Sequence, residues 1–349
     1  MSKKGILLVN LGSPDSPSPK DVKPYLDEFL MDERVIDVPR WARILLVRGI
    51  ILNTRPKASA KAYQKIWWDE GSPLIVLSER LQEKLQKQVD FPVALAMRYG
   101  SMTIKKGLQE LADKGVDDVF LIPLYPQFAM ATTETILVKV EEERKAHFPQ
   151  MKIKDLPAFY NVPEYIEVLS NSIARHLEGK NYEHLLFSYH GVPERHIRKS
   201  DITKSHCNPK VSSGALCCKT PSQAHEFCYK HQCHEVTRLV GEKLGLEEGS
   251  FSTSFQSRLG FDPWLQPYTD RTIERLGKEG TKNMAIVTPA FVSDCLETLE
   301  EIAMEGEEIF HEVGGKEFTT VPCLNDNDDW VALLAKWVHE WAEVETVPA

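Results

Sequence analysis

Short apolar runs, each bounded by glycine, proline or aspartate, alternate along the chain with amphipathic stretches. Runs that are apolar nearly throughout are typical of strands covered on both faces of a sheet. The pattern predicts buried strands at residues 5–12, 91–100, 117–126, 184–191, 251–258, 283–292 and 317–324. Apolar residues at helical spacing predict helices at residues 72–89, 102–115, 163–179, 233–245 and 328–344.

This alternation of strands and helices occurs twice, before about residue 150 and after about residue 160, without a Gly/Ser-rich linker. It favours βαβ units, which form parallel sheets through right-handed crossovers. The sequence therefore predicts an α/β fold of two Rossmann-like domains, each a parallel sheet flanked by helices, with a cleft between them. We place the domains at residues 1–158 and 159–325, and we expect the C-terminal helix within 326–349 to pack back on the first.

The loops after the predicted strands are the expected ligand site, because open parallel sheets bind ligands at the carboxyl ends of their strands. These loops are NLGSP (10–14), MRYG (97–100), PLYPQ (123–127), SYHG (188–191), QSR (256–258) and TPAF (288–291). Neither G-x-G-x-x-G nor G-x-x-x-x-G-K-[ST] occurs in the chain. We therefore expect no nucleotide cofactor.

The charge balance argues against nucleic acid as a partner. The chain has 42 Lys and Arg against 51 Asp and Glu, a formal charge of −9, so it lacks the basic field that attracts phosphate backbones. The first residues lack the long apolar region of a signal peptide, and the apolar stretch 41–52 is interrupted by Arg43 and Arg48. We expect a soluble, cytoplasmic protein.

His190 is the first candidate for chemistry. It comes directly after an apolar strand and before Gly191, which lets the chain turn at the carboxyl end of that strand. An imidazole titrates near neutral pH, so it can accept a proton or bind a metal there. A core histidine that bonds to the backbone is the alternative interpretation.

A row of carboxylates follows the predicted strand 283–292. Asp294, Glu297, Glu301 and Glu305 are spaced at i, i+3, i+7 and i+11, as on one side of a helix. In a cleft they would repel one another unless they shared a cation or a proton, so the row could conduct metal ions or protons. An acidic helix face in solvent is the alternative.

Trp264 lies in a loop at 256–270 that is rich in glycine and proline. A large aromatic ring in such a place can cover a flat ligand, although an indole can equally serve plain packing.

Five of the seven cysteines lie close together, at Cys207, Cys217, Cys218, Cys228 and Cys233. In a reducing compartment such a group indicates metal binding, catalysis or inert burial, not disulfides. The spacing contains no C-x2-C pair of the zinc-ribbon kind. A [2Fe-2S] cluster on four of the five, a zinc ion and unligated thiols are the three interpretations.

Several segments together resemble the ferrochelatase family, in the family's order and over nearly the whole chain. They are LLVNLGSPDSP (7–17), GSPL (71–74), MRYG (97–100), PLYPQF (123–128), FSYHGVP (187–193), the segment around PWLQPYTD (263–270) and FVSDCLETLEE (291–301). The resemblance implies a two-domain chelatase that holds a porphyrin between its halves. It would distort the ring so that the pyrrole nitrogens present lone pairs to the entering metal.

The implied reaction inserts Fe²⁺ into protoporphyrin IX to give protoheme and two protons, the terminal step of heme biosynthesis. By match to the family, His190 would accept pyrrole protons or hold iron. Glu297 would face it across the ring as metal ligand or proton relay, with Asp294, Glu301 and Glu305 extending the path. Coproporphyrin III as substrate, a cobalt or nickel tetrapyrrole chelatase, and a heme or metal carrier without catalysis are the alternatives.

The resemblance also implies the residues that contact the porphyrin, which are Leu11, Arg98, Tyr99, Tyr125, Ser188 and Trp264. Two positions depart from many relatives, which have histidine in place of Cys295 and, in some, methionine in place of Leu11.

A third departure is a cysteine-rich insertion at about 197–233. Some microbial ferrochelatases carry a [2Fe-2S] cluster on internal cysteines, so we predict such a cluster here. The expected ligands are Cys207, Cys228 and Cys233 with one of the adjacent Cys217 and Cys218.

Residues 40–55 mix apolar side chains with arginines, as an interfacial membrane helix does. The apolar residues concerned are Trp41, Ile44, Leu45, Ile51 and Leu52. In the family this region forms a lip of the pocket. We therefore predict peripheral membrane contact here, with packing inside the first domain as the alternative.

Overall fold

Two parallel sheets of four strands each form the framework of the protein. The computed structural model describes residues 3–207, 216–258 and 262–344. The first sheet contains β1 (Lys4–Asn10), β2 (Val93–Met97), β3 (Asp118–Pro123) and β4 (Lys152–Asp155). Its order is β2-β1-β3-β4, and neighbouring strands run parallel.

The second sheet repeats this topology. It contains β5 (His184–His190), β6 (Phe251–Gln256), β7 (Asn283–Val287) and β8 (Glu317–Thr320) in the order β6-β5-β7-β8, again all parallel. In each sheet the strand that comes first in the sequence lies between the next two. The predicted α/β fold with two helix-flanked parallel sheets is thus confirmed.

Helices cover both faces of the first sheet. They are α1 (Pro19–Leu30), α2 (Arg40–Ile44), a π-helix (Leu45–Ile51), α3 (Leu52–Ile66), α4 (Pro73–Gln86), α5 (Ile104–Asp113), a short π-helix (Met130–Glu134) and α6 (Thr135–His147). Side chains cap two of them, since Ser18 and Thr103 accept hydrogen bonds from backbone N–H groups in the first turns of α1 and α5.

The helices around the second sheet begin with α7 (Pro163–Leu177), α8 (Glu194–Ser200), α9 (Leu216–Lys219), a 3₁₀ turn (Gln223–Phe227) and α10 (Tyr229–Leu244). They continue with α11 (Thr269–Glu279), a π-helix (Glu297–Gly306), α12 (Glu307–Glu312) and α13 (Asp328–Val344). Helices α10 and α11 end on Gly245 and Gly280, whose left-handed backbones close the last turn.

The C-terminal helix α13 packs on α4 beside the first sheet and on α7 beside the second. One continuous apolar cluster accompanies it, because Phe120 of β3, Phe187 of β5 and Trp330 of α13 belong to the same set of buried contacts. The two sheets are therefore joined by a common core as well as by the chain.

Each of the seven apolar runs contains a strand, but β4 was missed. Its sequence is Lys-Ile-Lys-Asp, and three of these four side chains are exposed at the edge of the sheet. Charged residues protect sheet edges from pairing with other chains, so an edge strand lacks the apolar signal that reveals a central one.

Candidate active site

His190 is the last residue of β5, and its imidazole is half-buried. The ring Nδ1 lies 2.6 Å from the carbonyl oxygen of Gly191. A carbonyl can only accept, so Nδ1 carries the proton and the lone pair of the neutral ring is on Nε2. Nε2 is therefore the ring nitrogen that can act as a base or as a metal ligand.

Gly191 is required where the chain leaves β5. A Cβ there would lie 2.8 Å from the carbonyl oxygen of Ser257 and 2.9 Å from that of Gln256, which are backbone atoms that cannot give way easily. The same Cβ would be 3.3 Å from the Trp264 ring. The predicted aromatic residue therefore lies beside the turn that carries His190.

The predicted carboxylates occupy the π-helix Glu297–Gly306 and the loop before it. Glu301 accepts hydrogen bonds from the Ser257 backbone N–H at 2.9 Å and from the Ser257 hydroxyl at 2.5 Å. Burial raises the pKa of Glu301 and the charge of Glu297 raises it further, whereas Ser257 and His190 lower it. His190 and Glu297 are thus both close enough to Glu301 to affect its pKa.

Glu305 lies at the outer, exposed end of this helix. Burial and the neighbouring Glu300 raise its pKa, and Lys65 opposes them. Lys65 itself is 2.5 Å from Glu300, a pair that links α3 to the π-helix and that no sequence pattern predicted. The row Glu305, Glu301, Glu297 leads from the surface inward.

Asp294 does not belong to that row, which corrects the predicted spacing. It precedes the π-helix, and its Oδ1 accepts from the Thr298 hydroxyl at 2.9 Å and the Cys323 N–H at 3.3 Å. Its Oδ2 accepts from the Asn325 amide at 2.7 Å. These contacts anchor the start of the helix, and a catalytic role for Asp294 stays a prediction.

Three buried tyrosines from the first half of the chain, together with Cys295, lie within electrostatic range of Glu297. Tyr25 and Tyr63 are hydrogen-bonded to each other, and burial together with the charge of Glu297 raises the pKa of both. Burial likewise raises the pKa of the Cys295 thiol, which is hydrogen-bonded to Glu297. The third tyrosine, Tyr125, donates to Asn10 at 2.9 Å. The sequence predicted Tyr125 as a site residue but missed Tyr25 and Tyr63, which resemble ordinary core positions.

Arg98 and Tyr99 form a fixed pair. The Arg98 guanidinium donates to the Thr135 hydroxyl at 2.7 Å and to Asp32 at 2.5 Å, and it lies over the Tyr99 ring. Burial alone would raise the pKa of Asp32, but hydrogen bonds from Thr135 and the Arg34 N–H, with the charge of Arg98, hold it below its usual value. These contacts hold the Arg98 guanidinium in one orientation, and its contact with a porphyrin stays a prediction.

The other predicted porphyrin contacts differ in accessibility. Leu11 and Trp264 are half-buried. Ser188, in contrast, is fully buried, and its hydroxyl is 2.8 Å from both the Gln256 amide oxygen and the Thr269 hydroxyl. The Ser188 side chain is therefore enclosed by its neighbours, and its contact with a porphyrin stays a prediction.

Comparison with known proteins identifies the family of this chain. The family model for ferrochelatase matches residues 3–342. The chain belongs to the ferrochelatase family. It is 46% identical over 337 residues to the ferrochelatase of Azotobacter vinelandii (96% of this chain and 98% of that one) and 45% identical over 346 residues to the ferrochelatase of Opitutus terrae (98% and 99%).

The ferrochelatase chain also resembles solved structures of another chelatase. SirB from Bacillus subtilis with Fe³⁺ superposes with a TM-score of 0.54 at 12% identity, covering 97% of this chain and 95% of that one. The sirohydrochlorin chelatase SirB from Bacillus subtilis subspecies spizizenii in complex with cobalt gives 0.55 at 10% identity, with 98% and 96% covered. At these identities the likeness shows a shared fold.

The cysteine-rich insertion of this ferrochelatase brings several thiols together. Cys207 is hydrogen-bonded to Cys228, and Cys217 to Cys218. The hydrogen bond from Cys228 lowers the pKa of Cys207, whereas burial raises that of Cys218 to about 12. Cys218 also lies within electrostatic range of Cys207 and Cys228.

Cys233 differs from the other four thiols, since it is fully buried and hydrogen-bonded to Tyr229. Among the residues described, no three His, Cys, Asp or Glu side chains are arranged to hold a metal ion. Thiols are nevertheless the donors that iron–sulfur clusters and zinc require, so the chemistry of this group fits either. Cys233 also lies within electrostatic range of Cys218.

The predicted lip, residues 40–55, is helical and presents apolar side chains to solvent. Trp41, Leu45 and Ile50 are 69%, 62% and 60% exposed. Ile51 and Leu52, which the sequence assigned to the same surface, are buried, because the π-helix turns them toward the core. In the described part of the chain, no helix has the length and apolarity to cross a bilayer.

Proposed function

We propose that this chain inserts ferrous iron into protoporphyrin IX, giving protoheme and two protons, with His190 and Glu297 as the reacting pair. The observation that carries the proposal is the grouping of one imidazole, free at Nε2, with the two carboxylates Glu297 and Glu301 at the carboxyl ends of the second sheet. Metallation needs both a proton acceptor and ligands for a divalent cation, and this group supplies both.

The division of labour follows from the surroundings of each group. The row Glu305, Glu301, Glu297 would lead Fe²⁺ inward, because the pKa values of Glu301 and Glu305 are raised and such carboxyl groups gain most when a cation neutralises them. His190 would take the pyrrole protons on Nε2, since its Nδ1–H bond to the Gly191 carbonyl stabilises the positive ring that results. Trp264 would cover the macrocycle beside His190.

A fluorimetric assay tests this proposal. Protoporphyrin IX or coproporphyrin III is mixed with the protein and Fe²⁺ or Zn²⁺, and loss of free-base emission is followed. We expect metallation of protoporphyrin IX, and a fall in kcat of about 10²- to 10⁴-fold in His190→Ala and in Glu297→Gln. The exposed His176→Ala and Glu312→Gln are matched controls. A wild-type chain that metallates neither porphyrin, or full activity in the two site variants, would refute the proposal.

We also propose that the insertion holds a [2Fe-2S] cluster on Cys207, Cys218 and Cys228, with Cys217 or Cys233 as fourth ligand. The contacts among the first three thiols support it. When bound, such a cluster supplies a one-electron redox centre. Anaerobic purification should give visible absorption that dithionite bleaches, with equal iron and sulfide. Zinc by metal analysis, or no metal at all, is the opposing result, and Cys→Ser variants identify the fourth ligand.

We propose a cytoplasmic location with peripheral membrane contact through Trp41, Leu45, Leu46 and Ile50. These side chains are exposed on one helical segment, where apolar area in contact with lipid would favour binding. Liposomes containing anionic lipid should retain the wild-type protein at low salt. Failure to co-sediment would contradict the proposal.

A further inference from the structure

Tyr229 connects the cysteine-rich insertion to the reacting histidine. It is the first residue of α10 and comes directly after Cys228. Its side chain is buried, and its hydroxyl donates a 2.9 Å hydrogen bond to the backbone carbonyl of His190. The same phenol is hydrogen-bonded to the Cys233 thiol. A single residue thus joins two cysteines of the insertion to the end of β5.

The same turn of α10 also reaches the first half of the chain, through Gln232. This side chain is fully buried. Its Oε1 accepts from the Phe128 backbone N–H at 2.7 Å, and its Nε2 donates to the carbonyls of His225 and Glu226 at 3.0 and 2.8 Å. Phe128 follows β3 in the loop PLYPQF, and its ring meets Phe227 edge to face at 5.0 Å. The insertion therefore contacts the site loops of both sheets.

We infer that the first turn of α10 positions His190: Tyr229 fixes the strand end that carries it, Gln232 fixes the facing loop, and Cys228 couples the thiol group to both. This inference rests on the proposed function for its kinetic consequence. A misplacement of about 1 Å in a reacting group can cost about 10²-fold in rate. Loss of one buried hydrogen bond shifts a position by less than that, so the expected effect is smaller.

Tyr229→Phe removes the hydroxyl and retains the ring. We expect kcat for protoporphyrin metallation to fall about tenfold, which corresponds to about 1.4 kcal/mol of activation free energy, with the porphyrin KM changed less than twofold. The matched control is Tyr165→Phe, which removes the hydroxyl of another buried tyrosine, on α7. If Tyr229→Phe retains the kcat of the control, or if only KM changes, the positioning role is wrong.

A second readout does not depend on turnover. Histidines labelled with ¹⁵N give ring signals, and His190→Ala identifies the one from His190. We expect this signal to shift in Tyr229→Phe and to stay in place in Tyr165→Phe. An unshifted His190 signal would overturn the inference even if the enzyme is active, whereas a shift in a chain that metallates no porphyrin would refute the proposed function alone.

The coupling to the thiols is tested by a double-mutant cycle. Cys207→Ala removes the hydrogen-bonding partner of Cys228. If the thiol group acts through Tyr229, Cys207→Ala should also shift the His190 ring signal, and the double variant with Tyr229→Phe should lower kcat no more than the stronger single variant. Effects that multiply, or a His190 signal unchanged by Cys207→Ala, would show that the thiols do not act through Tyr229.

Discussion

At the residue scale, the Glu301 carboxyl lies close to a second carboxyl group, Glu297, and is nevertheless held in one orientation. Both of its oxygens accept hydrogen bonds from Ser257. The Ser257 backbone adopts a left-handed φ of 55°, which presents its N–H and its hydroxyl to the same carboxyl. A serine in that conformation is uncommon and carries some strain. The two hydrogen bonds to Glu301 offset this strain, and they hold the carboxyl in an orientation that suits cation binding.

The raised pKa of Glu301 makes a prediction about stability. The folded state binds this proton more tightly than the unfolded state, so the contribution of Glu301 to stability is greatest at low pH and is lost as pH rises from the ordinary value of 4.5 through the folded pKa. Glu301→Gln cannot ionise. The free energy of unfolding of wild type relative to Glu301→Gln should therefore fall as pH increases from about 4 to 8.

Urea unfolding of the two proteins across this pH range provides the measurement for Glu301. The matched control is Glu312→Gln, on the exposed end of α12. A difference for Glu301→Gln that grows in favour of wild type as pH rises would mean that the fold stabilises the carboxylate, which is incompatible with a raised pKa.

At the element scale, ion pairs hold α8 against the segment before the lip. The Asp37 side chain is 3% exposed, and its carboxylate contacts Arg195, Lys199 at 2.5 Å and His196 at 3.2 Å. Arg195 also pairs with Asp262 in the loop that precedes Trp264. Helix α8 starts four residues after His190. These ion pairs connect it to Asp37 in the first half of the chain and to Asp262 in the second half.

Asp37→Asn should cost about 2 kcal/mol of unfolding free energy at pH 7. Burial alone would raise the pKa of Asp37, but Lys199, His196 and Arg195 lower it from 3.8 to about 2. The stabilisation is therefore complete above pH 3.8 and is lost as pH falls through 2, so the deficit of the variant should shrink below pH 4.

The matched control for Asp37 is Asp27→Asn, which removes the partner of the exposed Arg48 and should destabilise the protein less than Asp37→Asn does. Urea unfolding at pH 7 and pH 3 distinguishes the two. Equal losses in both variants would show that the buried cluster stabilises no more than a surface pair.

The elements also show what the sequence could and could not predict. Apolar runs revealed the central strands because burial on both faces requires them, whereas the π-helix at 297–306 has no such signal. At 3.6 residues per turn, Asp294 and Glu297 are predicted to lie on the same side of an α-helix. In the structure Asp294 lies before the helix, which is a π-helix that begins at Glu297. Tyr25 and Glu297 are far apart in sequence, and no local pattern records a contact made only by the tertiary fold.

At the scale of the whole molecule, α13 is the element on which both sheets depend. The ring of Trp341 stacks on Phe120 of β3 with centroids 5.1 Å apart and planes 8° apart. At the other end of the helix, Trp330 is fully buried against Phe159 and Tyr165. These contacts help to set the relative position of the two sheets, although they are far from His190 in sequence.

Trp341→Ala should therefore destabilise the protein by about 3–5 kcal/mol, since it leaves a large cavity between α13 and the first sheet. Trp41→Ala removes the same side chain from the exposed lip and should change the unfolding free energy by less than about 0.5 kcal/mol while reducing retention on liposomes. Chemical denaturation measures the first effect, and co-sedimentation the second.

Because Trp341 does not contact the site, kcat per folded molecule should match wild type below the melting temperature. A lowered kcat with unchanged stability would instead place α13 in the chemistry and not in the framework.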